Sequence, residues 1–436
     1  MNVLVGLTLL LIDAGALAAQ SPQPLPLPDT EVAALLSRPG LGIFALEAAL
    51  PRIREPSLAL LARARLAAAR LDAAGARRLV DRFLASRPRD PRQRALAWAI
   101  VADAAFAAGD YAAAARDARE QQAALVAAAG GEDERAGAAQ TATMAAQLAA
   151  APAQQVASYR PQAEPVHTDK VGLPRATAVI DGVAQEAVLD TGANLSVVSL
   201  STARRLGLRM RQGDASVGSA SRAAVAVRLG IADTLSFAGL TLHNVAFLVL
   251  DDQQLAMPVP GGYRIDAILG YPVLRELQRF RITAAGRLEP ALSPASPAAA
   301  ATGNLRMVGN DLYVRAQVGG QPVAMHLDSG AASSALSSWF ASRHAGLLQG
   351  LRQHRQHVAG AGGATVSHTL TWPDVCVRLA GRGTVLASLD VEQAGSAGSP
   401  NLLGEDVLHA FDWWSVDFGR MRVELGPPRP TPAKRG

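Results

Sequence analysis

A dozen residues are written twice in this chain. Residues 188–199 read VLDTGANLSVVS and residues 326–337 read HLDSGAASSALS. An offset of 328 − 190 = 138 lays Asp190 on Asp328, Thr191 on Ser329, Gly192 on Gly330 and Ala193 on Ala331. It also lays Ser196 on Ser334, Ser199 on Ser337 and Gly182 on Gly320, with no gap from Ala176 to Ser199. The likeness continues downstream. A Gly-bearing stretch follows each copy, SVGSASRAAVAV at 216–227 and VAGAGGATVSHTL at 358–370. Each half then closes on two apolar residues and a glycine, in AILGYPVL at 267–274 and NLLGEDVL at 401–408. From Asp to that Gly is 270 − 190 = 80 residues in one half and 404 − 328 = 76 in the other. A plan repeated over such a length requires two lobes of like fold.

The texture around the repeat sets the domain boundaries. Residues 172–287 and 305–426 alternate Val, Thr and Gly with polar residues in short runs, the pattern of strands and hairpins. Between them, 288–304 is rich in Ala and Pro and reads as a linker. Upstream, 151–171 carries Pro152, Pro161 and Pro165 and reads as another linker. Residues 31–150 are rich in Ala, Leu and Arg, with apolar residues every three or four positions, which predicts helices. Gly75 and Gly109 occupy matching places in two similar segments, 109 − 75 = 34 residues apart, the period of a tetratricopeptide repeat. The segment AGDYAAAA also resembles that family's turn, so a short docking or packing domain of paired helices is expected, with Gly75 and Gly109 in equivalent turns. Residues 1–19 combine the apolar run VLVGLTLLLI with the small-residue stretch ALAA and read as a signal for export, periplasmic or secreted. No Lys or Arg precedes the run, and if it is not removed a weak membrane association follows. Residues 20–30 form a Pro-rich linker, and 427–436 read as a disordered tail.

Composition excludes several functions. The net charge of +5 comes from Arg scattered through Ala-rich segments, without a basic block and with 4% aromatics, so no nucleic-acid partner is expected. A single cysteine, Cys376, can form neither an internal disulfide nor a cysteine metal site, and the alternating DVCVRL around it places it as a small hydrophobe in a strand. His354 and His357 form H-x-x-H, which on a helix would put two ligands on one face; without a third ligand nearby no metal site is expected. His326 reads as a packed histidine. No phosphate loop, dinucleotide fingerprint or serine-hydrolase elbow is present, and no cofactor is expected.

The two halves resemble the retropepsin-like aspartic proteases, over roughly residues 172–426. In that family an apolar strand runs into Asp-Thr/Ser-Gly-Ala, a Gly-bearing flap hairpin follows, and an apolar-apolar-Gly segment braces the loop. The resemblance implies a mainly β, two-lobed pepsin/retropepsin-like fold after an all-α helical-repeat domain. It implies an aspartic endopeptidase acting on a peptide or protein substrate, with both lobes in one polypeptide where retroviral enzymes dimerise. Asp190 and Asp328 would be the catalytic pair. Thr191 and Ser329 would hydrogen-bond across the lobe interface, and Gly192 and Gly330 would permit tight turns beside the carboxylates. Gly218 and Gly360, Gly362 and Gly363 would lie in mobile flaps over the substrate. The chain departs from the retroviral pattern after the second glycine motif, where Tyr271 and Glu405 replace Arg.

Duplication matches the chemistry. Hydrolysis by this route needs two carboxyls facing each other across one water, and two carboxylates about 3 Å apart share a single proton. One lobe supplies half of the pair. Two rival readings stand beside this one: a binding module that holds a peptide without cutting it, its helices docking a protein partner, and a zymogen-like enzyme whose helical domain covers the cleft.

Overall fold

The computed structural model describes residues 25–217, 225–257, 261–360, 363–393 and 399–430; the apolar N-terminal run lies outside them. Seven helices come first: α1 (Asp29–Ser37), α2 (Pro39–Ala49), α3 (Pro56–Ala69), α4 (Ala73–Ala85), α5 (Pro91–Ala108), α6 (Tyr111–Ala127) and α7 (Glu132–Ala149). Their ends are written in the sequence. Glu55 and Asp90 cap α3 and α5 just ahead of a proline at the first helical position. Asp72 and Asp110 cap α4 and α6 by accepting from the Gly75 and Ala113 amides. Leu46, Leu61, Val80, Phe83 and Ile100 form the core between them.

The helices pair as expected, but on a different repeat. Gly109 ends α5 in the left-handed conformation at φ 81°, whereas Gly75 lies inside the first turn of α4. The residue equivalent to Gly109 is Leu71, also left-handed at φ 61°, one residue before the Asp72 cap as Gly109 precedes Asp110. The structural offset is therefore 110 − 72 = 38. The longer offset arises because α5 has 18 residues against 14 in α3, about one extra turn. Repeated Ala hides such a slip from sequence matching.

Each half then folds as a closed β-barrel lobe. In the first, the central strands Val183–Leu189, Ala267–Leu269 and Ser196–Ser199 lie side by side, the first two parallel. In the second, Gln321–Leu327, Asn401–Leu403 and Ala335–Leu336 repeat the arrangement. Period-two alternation sends Ala187, Leu189, Met325 and Leu327 into the barrel cores, while Val188 faces the opposite side.

Both stretches read as linkers contribute strands. Gln155–Tyr159 pairs with the hairpin strand Leu240–Leu250 at the edge of the first lobe. Glu164–Pro165 pairs with Arg287–Ala291, and Pro297–Thr302 is a short helix. Proline is compatible with these edge positions, which need fewer amide donors. Arg287–Ala291 belongs to a third, five-stranded sheet that takes strands from both halves: Arg279–Thr283 of the first pairs with Trp413–Asp417 of the second, and Phe280 meets Trp414 edge to face at 5.7 Å. The tail residues 427–430 are docked, with the Asp412 amide donating to the Pro427 carbonyl and the Arg429 amide to the Ala410 carbonyl; 431–436 lie outside the described residues.

The helical region packs on both lobes. On the second, Ile43, Leu66 and Ala69 join Val308, Tyr313 and Ala324 in one buried cluster. Glu47 binds Arg306 at 2.6 Å and Arg315 at 2.9 Å, and both guanidiniums lie over the Phe44 ring.

Candidate active site

The two Asp loops meet between the lobes, related by a near-twofold arrangement that extends to single hydrogen bonds. The Asp190 amide donates to the Leu269 carbonyl at 3.0 Å, and the Asp328 amide to the Leu403 carbonyl at 3.0 Å. The Tyr271 amide donates to Ala193 O at 2.8 Å, and the Glu405 amide to Ala331 O at 2.9 Å. Gly270 and Gly404 must be glycine: an added Cβ would lie 2.5 Å from Ala193 O at the first and 2.7 Å from the Ser333 carbonyl carbon at the second.

Serines recurring in the motif brace these segments. Ser196 Oγ accepts from the Gly270 amide at 3.1 Å, and Ser334 Oγ from the Gly404 amide at 2.9 Å. Ser199 and Ser337 cap the helices Leu200–Leu206 and Ser338–Arg343. These are supporting residues to which the sequence reading gave no role, although their recurrence at the 138-residue offset marked them.

Thr191 and Ser329 cross between the lobes. The Thr191 amide donates to Ser329 Oγ at 3.0 Å, and Ser329 Oγ donates to the Leu189 carbonyl at 2.8 Å. Reciprocally, the Ser329 amide donates to Thr191 Oγ1 at 3.1 Å, and Thr191 Oγ1 donates to the Leu327 carbonyl at 2.8 Å. Both side chains are buried.

The carboxyls of Asp190 and Asp328 lie together where the two loops meet, each near enough to shift the other's ionisation. Asp190 Oδ1 also accepts from the amides of Gly192 at 2.8 Å and Ala193 at 3.0 Å, and Asp328 Oδ1 accepts from the Gly330 amide at 2.9 Å. Burial and the facing Asp328 carboxyl push Asp190 well above the ordinary Asp range, against the pull of the amides of its own loop. Burial likewise raises Asp328. The pair thus titrates as a unit that retains a proton far above the usual carboxylate range.

Gly192 and Gly330 are required for a reason other than the one expected. Neither has a positive φ among the backbone values. Each approaches the opposite carboxyl: a Cβ on Gly192 would lie 2.7 Å from Asp328 Cγ, and one on Gly330 would run into the Asp190 carboxyl. Space for the partner's acid, not turn conformation, demands glycine here.

The remaining expectations divide. Gly360 and Gly363 are the last paired residues of the hairpin Arg352–Gly360/Gly363–Leu379; Gly362 lies outside the described residues. The equivalent hairpin of the first lobe is Arg209–Val217/Val225–Phe237, and Gly218 also lies outside the described residues. His354 and His357 stand on a strand, where residues three apart face opposite sides; His354 contacts the Thr369 and Thr371 hydroxyls. No metal-binding cluster occurs among the described residues. His326 is buried with its ring centroid 5.8 Å from that of Tyr313. Cys376 is half-buried in a strand.

Tyr271 and Glu405, which replace Arg of the retroviral pattern, have different surroundings. The Tyr271 hydroxyl donates to the Ala107 carbonyl of α5 at 3.4 Å. Glu405 is 1% exposed and neither oxygen makes a hydrogen bond, although His409 Nε2 lies 3.2 Å away. Burial, with Asp328 and Asp406 nearby, raises its carboxyl well above the ordinary Glu range.

Comparison with known proteins follows this division into halves. A family model described as aspartyl protease matches twice, over 176–273 and 314–407. Among solved structures, a retropepsin-like aspartic protease from Rickettsia conorii matches with 16% identity and a TM-score of 0.21, covering 31% of this chain and 90% of its own. No curated protein matches. Each family match runs from the early strands of a barrel, through its Asp loop, to its closing glycine segment, so both closed β-barrel lobes, joined in one polypeptide, are similar to the aspartyl protease family.

Proposed function

We propose that the protein is an aspartic endopeptidase that hydrolyses peptide bonds with a water activated between Asp190 and Asp328. The observation that carries this reading is the facing pair of carboxyls, each cradled by amides of its own loop while the loops are tied by Thr191 and Ser329. With one proton on the pair, the ionised carboxyl accepts a proton from the water as its oxygen adds to the peptide carbonyl carbon. The protonated carboxyl hydrogen-bonds the carbonyl oxygen and stabilises the developing oxyanion. Collapse of the tetrahedral intermediate breaks the C–N bond, and the departing amine takes a proton from the pair. The two Gly-bearing hairpins act as flaps that close over the substrate. The substrate class is an extended peptide or an unfolded protein segment, and the N-terminal apolar run supports export.

The test is a cleavage assay on a peptide library with Asp190→Asn and Asp328→Asn beside the wild type. An amide can neither accept the water's proton nor hold the shared one, so each variant is expected to lose about 10²- to 10⁴-fold in rate while remaining folded. Undiminished cleavage in either variant overturns the dyad. No cleavage by any form, including one with the helical domain released, favours a peptide-binding role.

A further inference from the structure

The internal duplication supplies its own control for what covers the site. In the first lobe, Val188 pairs with Ile268, Ile268 with Val197, and Val197 with Leu248. Residues in register across a sheet share a face, and Val188, two positions before Asp190, puts this row on the face from which the acid projects. The second lobe has the matching row: His326 pairs with Leu402, Leu402 with Ala335, and Ala335 with Asp390.

The two rows differ in cover. Val188, Ile268, Val197 and Leu248 are 1%, 7%, 8% and 4% exposed. In the second lobe His326 is buried, but Leu402, Ala335 and Asp390 are each half-buried. Ser333 is exposed, while its mate Leu195 is buried. The first lobe's row belongs to one apolar cluster that includes Phe106 of α5, Ala114 and Ala115 of α6, and Met144, Ala145 and Leu148 of α7, together with the lobe's own Leu255, Tyr263 and Ile265. The end of α5 is fixed there by Ala107, whose carbonyl accepts from Arg275 as well as Tyr271.

We propose that α5–α7 cover the first lobe's half of the substrate groove, so that the intact chain is held at low activity until these helices move away. The inference rests on the peptidase reading above. An extended peptide must lie across both Asp loops to place a bond between the carboxyls, and half of that path is filled by side chains of the same polypeptide. The cover can detach: apart from Phe106, Met144, Leu148 and the half-buried Tyr111 beside Phe106, the helical side chains in and against the cluster are alanines, which bury little apolar surface each. The half-buried row of the second lobe leaves the other half of the path accessible to solvent.

The test uses the full chain in a Cys376→Ser background, with Val197→Cys or its symmetry mate Ala335→Cys, labelled by a maleimide. A thiol that reacts only when its cover opens labels more slowly, and position 197 is expected to react at least about tenfold more slowly than position 335. Combining Met144→Ser with Leu148→Ser loosens the cover without touching a lobe. This pair is expected to accelerate labelling at 197, leave 335 unchanged and raise peptide cleavage about tenfold. Equal labelling at 197 and 335 in the parent overturns the proposal. So does faster labelling at 197 without a rise in cleavage by an otherwise active enzyme. If the loosened pair fails to fold, the comparison of 197 with 335 still decides whether the groove is covered. If no form cleaves, the labelling rates still report on the cover and the failure falls on the peptidase reading.

Discussion

Ser329→Ala is the sharpest probe of how the lobes are held together. The serine is 0% exposed, and its hydroxyl accepts from the Thr191 amide at 3.0 Å and donates to the Leu189 carbonyl at 2.8 Å. Alanine removes both bonds and leaves an amide and a carbonyl buried without partners. At roughly 1–3 kcal/mol for each orphaned group, the expected loss is about 2–6 kcal/mol, a large part of the 5–15 kcal/mol that usually holds a fold together. Urea unfolding followed by tryptophan fluorescence reads it directly, since Trp414 is buried in the sheet shared by the two halves. Ser329→Thr keeps a hydroxyl and is expected to retain most of the stability. Thr191→Ala removes two different bonds of the same network, so the double variant is expected to lose less than the sum of the singles, because the first substitution already loosens the loops. A loss below about 0.5 kcal/mol for Ser329→Ala, the range of an ordinary surface change, would refute the argument.

Three further outcomes follow from the same geometry. Gly330→Ala places a methyl against the Asp190 carboxyl and is expected to abolish cleavage, measured by single-turnover assay, by at least about 10²-fold through displacement of the acids. Because Asp190 and Asp328 are both raised in the folded protein, their contribution to stability is complete below the ordinary Asp pKa and is lost as pH rises through the raised range; thermal melts should show Asp190→Asn more stable than the wild type at neutral pH, with the gap closing in acid, and cleavage by the wild type should decline over the same rise in pH. Arg306→Ala leaves Glu47 without its most buried partner and frees the Gly303 and Leu305 carbonyls, so calorimetry should show a loss of about 3–5 kcal/mol.

Much of this was legible in the sequence because it is written twice. The Asp loops, the closing glycine segments and the division into lobes all lay at matching positions, and chance does not reproduce a plan over such a span. What escaped did so for identifiable reasons. Gly192 and Gly330 suggested turn conformation because only the assembled lobes reveal how near each glycine comes to the opposite acid. The 34-residue period misled because alanines match alanines at any register, whereas the caps Asp72 and Asp110 fix the true offset. Prolines at 161 and 165 suggested a free linker, yet Glu164–Pro165 occupies a sheet edge where the missing amide costs nothing. A helical domain over the cleft was one of the rival readings, but which residues of the row Val188–Ile268–Val197 are buried was not legible, since burial by residues distant in the sequence leaves no periodic mark.

The strands that join Arg279–Thr283 to Trp413–Asp417 have a consequence for how such a molecule can change over time. An enzyme assembled from two identical subunits must accept every substitution twice, once on each side of its axis, and so remains tuned to both flanks of a target alike. Once both halves are encoded separately and seamed into one sheet, a change on one side need not be copied on the other. The two halves of this chain differ in this way: Thr191 stands opposite Ser329, Val188 opposite His326, and Tyr271 opposite Glu405. The acids match across the two halves while the walls around them differ, so if the pair cleaves peptides as proposed, a target with two unlike flanks suits such a groove.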